Sequence, residues 1–210
     1  MNKYIEDYDI PPYLFQVLNI AFGILIIYVL YRLFKHFRNK NHKKIKLAYY
    51  TSDFFGHATA MLIEGLLMSH DRELFELHAF SLDLTKEDEY THRIKNLFDH
   101  YHEVFHYSDR AIANLSRELE IDIAIDLKGY TEGSRPAIFA EKAAPIQINF
   151  LGFPGSMGAD FIDYMVADGY TVNEENRAFF SEKIIHMPHC YQPNHPGRPK
   201  PTGKSQRPAE

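Results

Sequence analysis

Cysteine is nearly absent from the 210-residue sequence, in which Cys190 is the only one. A single thiol cannot form a disulfide within the chain, so the sequence gives no sign of an oxidising compartment. Basic charge is also scarce in the body, since residues 45–194 carry 12 Lys and Arg against 24 Asp and Glu. A body of this sign repels phosphate backbones, and no nucleic-acid partner is expected.

Charge is missing altogether from Tyr13–Tyr31, which reads YLFQVLNIAFGILIIYVLY. A helix of these 19 residues would be roughly 28 Å long, close to the ~30 Å hydrocarbon core of a bilayer. A polar segment, residues 1–12, precedes this stretch and a basic linker, residues 32–44, follows it. The positive-inside rule then predicts a single-pass membrane protein with its body in the cytoplasm.

A signal peptide and a buried helix are the other interpretations of this apolar segment. A signal peptide has its basic residues before the apolar stretch and a small-residue cleavage site after it, and the sequence shows neither. A buried helix of a soluble domain is the alternative to a membrane span, and it would make the protein simply cytoplasmic.

After the linker, short β-rich runs alternate with helical stretches, which is typical of a mostly parallel sheet covered by helices on both faces. The sequence therefore predicts an α/β, doubly wound, Rossmann-like domain over residues 45–194, with a disordered tail at 195–210 that is rich in Pro, Gly, Lys and Arg. Predicted strands are Ile45–Thr51, Leu74–Leu82, Tyr101–Tyr107, Ile121–Leu127, a run from Pro145, and Phe161–Asp168, and predicted helices are Thr59–Ser69, Lys86–Leu97, Arg110–Leu119 and Pro136–Lys142.

Ligands of such sheets gather beyond the carboxyl ends of the strands, which directs attention to four loops. They are residues 52–59, 128–135, 151–158 and 186–192. In the first loop, Asp53 and His57 are close enough in sequence to orient one another or share a proton. The alternative is that both residues only cap a turn and a helix start.

The second and third loops are rich in glycine. KGYTEGSRP has two glycines and two hydroxyl side chains near a helix start, so it can cradle a polar ligand or simply connect a strand to a helix. LGFPGSMG packs three glycines around Pro154, a density that demands unusual backbone angles or the close approach of another group. This pattern indicates a binding role.

Histidine invites a metal interpretation at His100, His102 and His106, because residues two apart on a strand share a face. No cysteine lies nearby, and a partly exposed strand edge is the favoured interpretation. No metal site is therefore predicted. Cys190 lacks an adjacent basic pair that would activate it, so it is not predicted to act as a nucleophile.

Four motifs follow one another along the body: YYTSDFFGHATAML, DLKGYTEGSRPAIFAEKAAPIQ, FLGFPGSMGADFIDYMVAD and SEKIIHMPHCYQP. Together and in this order they resemble the catalytic region of the O-GlcNAc transferase and SPINDLY-like family of protein glycosyltransferases. The resemblance extends from Lys44 to Asn194. The sequence departs from the family at four positions, where Ala58, Met61, Phe150 and Phe153 replace the usual Pro, His, Trp and Tyr.

The resemblance implies the first lobe of a two-lobed GT-B glycosyltransferase. Family members transfer a sugar, usually N-acetylglucosamine, from a nucleotide donor such as UDP-GlcNAc to Ser or Thr hydroxyls of proteins, with inversion and without a metal or other cofactor. Asp53 and His57 match the family's active-site acid and histidine and are the expected catalytic residues. Expected substrate-binding residues are Thr59, Gly129, Tyr130, Thr131, Leu151, Gly152, Pro154 and Gly155.

The family's second lobe, which holds most of the nucleotide, has no counterpart after Asn194. The expectation is a lobe that is inactive alone and works with a separately encoded carboxy-terminal lobe on a protein acceptor. The alternative is a non-catalytic, membrane-tethered binding module or a truncated remnant.

Overall fold

The computed structural model describes residues 44–83 and 85–194. The predicted apolar segment 13–31, most of the basic linker and the predicted tail 195–210 lie outside the described residues. Within the two described ranges no helix is long and apolar enough to cross a membrane.

Seven parallel strands form one sheet in the order β3-β2-β1-β4-β5-β6-β7. The order reverses between β1 and β4, as in Rossmann-like folds, and this confirms the predicted α/β class. In chain order the strands are β1 (Ile45–Thr51), β2 (Phe75–Ser81), β3 (His100–Glu103), β4 (Ile123–Asp126), β5 (Ile146–Asn149), β6 (Tyr164–Asp168) and β7 (Lys183–Met187).

Helices occupy the connections between the first five strands. They are α1 (Ala58–Ser69), α2 (Glu89–Lys95), α3 (Asp109–Glu118) and α4 (Ala137–Ala140), and a 3-10 turn (Arg177–Phe179) precedes β7. The first three helices each begin after a residue whose side chain accepts a backbone N–H of the first turn, namely His57, Asp88 and Ser108. Such caps satisfy donors that a helix start leaves without partners.

The core lies on both faces of the sheet, and β1 contributes to both. Leu47 and Tyr49 pack with α1 on one face, whereas Ala48 and Tyr50 pack with α3 and α4 on the other. The Tyr50 hydroxyl donates to Ser116 Oγ at 2.6 Å, so its one polar atom is satisfied inside the core. Burying each such large side chain stabilises the fold by about 1.5–3 kcal/mol.

The predicted elements differ from the structure mainly at their ends. β1 has the predicted bounds, but the predicted strand Tyr101–Tyr107 ends at Glu103, because the chain turns there and Tyr107 N donates to Val104 O. His106 therefore does not share a strand face with His100. His186, expected in a loop, lies on β7, whose pairing with β6 is not visible in the sequence alone.

Candidate active site

A pocket of about 310 Å³ lies beyond the carboxyl ends of β1 and β4, where the strand order reverses. This crevice is the place at which doubly wound sheets bind ligands. Three of the four predicted loops meet in it, together with the loop that follows β2. The lining residues are Ser52, Asp53, Phe55, His57, Thr59, Asp83, Lys86, Lys128, Thr131, Glu132, Gly133 and Gly152.

The fourth predicted loop, residues 186–192, contributes nothing to this pocket. Met187, Cys190 and Tyr191 instead line a separate, largely apolar cavity of about 240 Å³. Cys190 is exposed at the surface.

A buried ion pair forms one wall of the pocket. Lys128 Nζ lies 2.6 Å from Asp53 Oδ2, and the two side chains are only 6% and 9% exposed. Asp53 Oδ1 also accepts a hydrogen bond from Ser52 Oγ, at 3.2 Å. Removing either partner of a pair this buried would leave an uncompensated charge. The pair therefore joins the loops after β1 and β4.

His57 sits at the start of α1, and its ring nitrogens have different surroundings. Nδ1 accepts the backbone N–H of Thr59 at 3.2 Å and lies 3.6 Å from Asp53 Oδ2, too far for a hydrogen bond. A neutral ring that accepts at Nδ1 carries its proton on Nε2. The side chain is 43% exposed, so this N–H is open to the pocket.

Asp53 and His57 are thus brought together without a hydrogen bond between them, and their roles in orienting one another or sharing a proton stay predictions. The carboxylate is paired with Lys128, and the histidine caps α1, as the alternative interpretation expected for it. The first turn of α1 opens into the same pocket through Thr59. A helix amino terminus carries partial positive charge and favours anions.

Backbone geometry holds the glycine-rich loops close together. A Cβ on Gly152 would overlap the carbonyl oxygen of Leu127. Leu151 has a φ of 77°, a left-handed conformation that costs a residue with a side chain roughly 1–2 kcal/mol. Gly133, at a φ of 76°, approaches Ser52 so closely that a Cβ would lie 2.7 Å from its Oγ. The third loop therefore reaches the pocket by its backbone.

Five of the ten predicted site residues line the pocket: Asp53, His57, Thr59, Thr131 and Gly152. The other five lie outside the lining. Leu151 is buried in the core, Pro154 is exposed, and the Tyr130 hydroxyl donates to Met157 O. Gly129 and Gly155 both lie against the Phe153 side chain.

Sequence reasoning missed Lys128, Lys86 and Asp83. Lys128 stands inside the quoted DLKGYT motif, and a lysine directly after a buried strand was the signal that could have identified it. Lys86 and Asp83 come from the loop after β2, which none of the four motifs covers.

Asp88 connects the first loop to α2. Its Oδ1 accepts from Thr91 N and its Oδ2 accepts from Gly56 N, at 2.9 and 2.8 Å. These backbone donors, Gly56 first, lower the pKa of Asp88 below its ordinary value. The segment that carries His57 is therefore hydrogen-bonded to the start of the next helix.

The sequence profile of glycosyl transferase family 41 matches residues 24–195. The match begins inside the predicted apolar span 13–31, so the latter part of that span belongs to the matched region. An uncharged stretch of this length is also typical of a buried helix. This overlap, with the absence of a spanning helix in the described ranges, corrects the predicted membrane location.

Individual relatives agree with the profile. Over 154 residues the chain is 37% identical to the probable UDP-N-acetylglucosamine–peptide N-acetylglucosaminyltransferase SEC of Arabidopsis thaliana, covering 73% of this chain and 16% of that protein. It is 31% identical over 157 residues to the UDP-N-acetylglucosamine–peptide N-acetylglucosaminyltransferase of Caenorhabditis elegans, covering 74% and 14%.

A solved structure shows the same architecture. A mutant of the Thermobaculum terrenum O-GlcNAc transferase superposes with a TM-score of 0.70 at 25% identity, covering 80% of this chain and 32% of that one. The chain thus spans only part of the length of each relative. Because the profile match extends over most of the sequence and the fold agrees, the chain belongs to glycosyl transferase family 41.

Proposed function

We propose that residues 45–194 form the amino-terminal catalytic lobe of a protein O-glycosyltransferase that transfers N-acetylglucosamine from UDP-GlcNAc to Ser or Thr hydroxyls. The names of the two relatives, UDP-N-acetylglucosamine–peptide N-acetylglucosaminyltransferases, supply the donor and the peptide acceptor. The observation that carries the proposal is the pocket at the strand-order reversal, in which a lysine, a histidine N–H and a helix amino terminus face one space.

The reaction places demands on such a pocket. The acceptor oxygen bonds to the anomeric carbon of the sugar while the bond from that carbon to the diphosphate breaks, and the hydroxyl proton leaves to a phosphate oxygen or to water. The departing UDP takes up negative charge. Preorganised positive groups stabilise such developing charge. Lys128, Lys86 and the first turn of α1 are the groups that supply it here.

His57 acts as a hydrogen-bond donor in this proposal. Because Nδ1 accepts the Thr59 N–H, the resting ring has no free lone pair on the pocket side and offers Nε2–H instead. A donor in this place can orient the acceptor hydroxyl or a sugar oxygen. It cannot remove the hydroxyl proton without first losing its own.

Asp53 is a positioning residue in the same scheme. Its carboxylate holds the Lys128 ammonium at 2.6 Å and is itself held by Ser52, so the positive charge has a fixed place in the wall. A lysine without this partner would have to remain solvated, since an isolated buried ammonium is strongly disfavoured.

A chimeric enzyme tests the proposal. Residues 45–194 replace the matching segment of the Thermobaculum terrenum relative, and transfer of radiolabelled N-acetylglucosamine from UDP-GlcNAc to a Ser/Thr peptide is measured. We expect transfer that depends on His57 and Lys128. A chimera that shows a native circular dichroism spectrum and cooperative unfolding, but transfers no sugar, would contradict the proposal.

A further inference from the structure

Four side chains from two neighbouring strands form a polar cluster on one face of the sheet, and we call it the edge cluster. Glu76 and His78 are two residues apart on β2, so they share a face. In the pairing register His78 lies opposite His100, and Phe80 lies opposite His102. β3 is the outermost strand on this side. The edge cluster comprises Glu76, His78, His100 and His102.

Three of these side chains converge on one point. Glu76 Oε1 lies 2.9 Å from His78 Nε2 and 3.4 Å from His100 Nε2. The three ligand atoms all lie within 4.8 Å of one another, and no other group of three such donors exists within residues 44–83 and 85–194. A tetrahedral zinc ion with bonds of about 2.0–2.1 Å holds its ligand atoms roughly 3.3 Å apart. The two distances from Glu76 Oε1, 2.9 Å and 3.4 Å, lie on either side of that spacing.

His102 holds the ring of His78 in place. His78 is 2% exposed, and its Nδ1 lies 3.1 Å from His102 Nε2, with the two rings stacked at 5.4 Å. Metal-binding histidines characteristically hydrogen-bond through the nitrogen that does not touch the ion. For His78 the hydrogen-bond partner of that nitrogen is His102.

An ordinary ion-pair network is the competing explanation. In that case Glu76 only accepts from two histidines, and the arrangement needs neither His102 nor a buried His78. Here the His78 ring is itself buried and uses both nitrogens, which a surface ion pair does not require. The only ammonium group opposite Glu76 in the register, Lys46, donates to Leu119 O.

We propose that Glu76, His78 and His100 bind a divalent transition metal ion of the zinc type, with an open fourth position on the exposed side of His100. Two imidazoles and one carboxylate suit zinc and its neighbours, whereas magnesium and calcium prefer oxygen ligands alone. On binding, His78 offers its Nε2 lone pair to the ion and carries its single proton on Nδ1, from which it donates to His102 Nε2. His102 accepts at Nε2 in this arrangement and therefore carries its own single proton on Nδ1 instead of Nε2.

The location indicates a structural ion that is separate from sugar transfer. Glu76 and His100 lie near the beginning of β2 and β3 and His78 lies in the middle of β2, whereas the pocket lies beyond the carboxyl ends of the strands. An ion here connects the short edge strand β3 to β2. The inference therefore stands or falls independently of the proposed function.

Calorimetric titration of the full 210-residue chain with ZnCl₂ in a non-coordinating buffer tests the site, with MgCl₂ as the comparison. We expect one Zn²⁺ per chain at this site. His100→Ala and Glu76→Gln should each weaken its affinity at least tenfold, and His102→Phe should weaken it by about 10–100-fold. His92→Ala removes a 70% exposed histidine from α2 and should change nothing.

Three results would contradict the proposal. His100 is 51% exposed and Glu76→Gln preserves shape, so neither change should prevent folding, and circular dichroism verifies this. Absence of Zn²⁺ binding to the unmodified chain would overturn the site. Wild-type affinity in either His100→Ala or Glu76→Gln would also overturn it, as would Mg²⁺ binding as tightly as Zn²⁺.

Discussion

The pocket cluster of Asp53, His57 and Lys128 lies beyond the carboxyl ends of the strands, whereas the edge cluster lies within β2 and β3, and the two are built in different ways. The pocket cluster comes from loops after β1 and β4, and it combines opposite charges across a large sequence separation. The edge cluster comes from positions inside strands, and the register of β2 and β3 brings it together. Loops thus carry the residues of the pocket cluster, whereas strand pairing creates the edge cluster, which no sequence motif reveals.

The largest expected effect comes from breaking the pocket ion pair. Lys128→Met leaves the Asp53 carboxylate buried without its partner, which should lower the free energy of unfolding by about 3–5 kcal/mol. Urea denaturation measures this loss. Lys142→Met is the matched control, because Lys142 Nζ makes one long exposed contact, 3.4 Å to Phe161 O. Equal stability of the two variants would show that the pair contributes little.

The next effect tests the buried carboxylate at the end of β4. Burial raises the pKa of Asp126 from its ordinary 3.8 to about 6. Because the folded state holds this proton more tightly than the unfolded state, the contribution of the protonated Asp126 to the free energy of unfolding is complete below pH 4. It is lost as the pH rises through 6. Relative to the Asp126→Asn variant, the free energy of unfolding of the wild type should fall by on the order of 3 kcal/mol between pH 4 and pH 7.

Thermal or urea unfolding across this pH range measures the difference. The amide oxygen of Asn can still accept from Lys128 N, which donates to Asp126 Oδ1 at 2.8 Å. Glu118→Gln, at an exposed position of α3, provides the control. A pH-independent difference between Asp126→Asn and the wild type would refute the buried neutral acid.

Removing the His57 ring tests the pocket cluster by its chemistry. In the chimera, His57→Ala should reduce transfer by about 10²-fold, as loss of one preorganised donor does. His57→Asn restores a short side chain that can still cap α1, and it should recover helix stability more than transfer. Full transfer by His57→Ala would exclude the proposed donor role.

The smallest effect concerns independence of the two clusters. Glu76 lies five residues and His78 three residues before Ser81, where β2 ends, which is roughly 10–16 Å of strand. Effects of sites this far apart should add within about 0.5 kcal/mol. His57→Ala should therefore show the wild-type rise in Tm on addition of Zn²⁺, measured by differential scanning calorimetry. A different rise in Tm would show that the two clusters are energetically coupled and would contradict their independence.

The sequence predicted much of the fold because short β-rich runs alternate with helical stretches along it. The predicted bounds of β1 are the observed ones, and the α/β class follows from the alternation of elements. β7 is missing from the predicted strands, because part of KIIHM falls in a predicted loop and its pairing with β6 is not visible in the sequence. The membrane location was wrong, because an uncharged stretch alone does not distinguish a span from a buried helix.

The pocket was predicted in part, and the edge cluster was not. Motif order directed attention to Asp53, His57 and Gly152, which do line the pocket. The position of Lys128 directly after a buried strand was a visible signal, but its pairing with Asp53 could not be predicted, because it depends on β1 and β4 being neighbours in the sheet. His100 and His102 were noticed, but their partner His78 lies on another strand, and only the register of the sheet shows that they meet.

The hydrogen bond from Gly56 to Asp88 has a mechanical consequence. One carboxylate holds both the first turn of α2 and the segment that ends at His57, so the histidine and that helix must move as one body. A side chain at position 56 would press on this carboxylate, since a Cβ there lies 2.9 Å from Oδ2. A displacement of α2 would therefore reach the pocket as a shift of the imidazole.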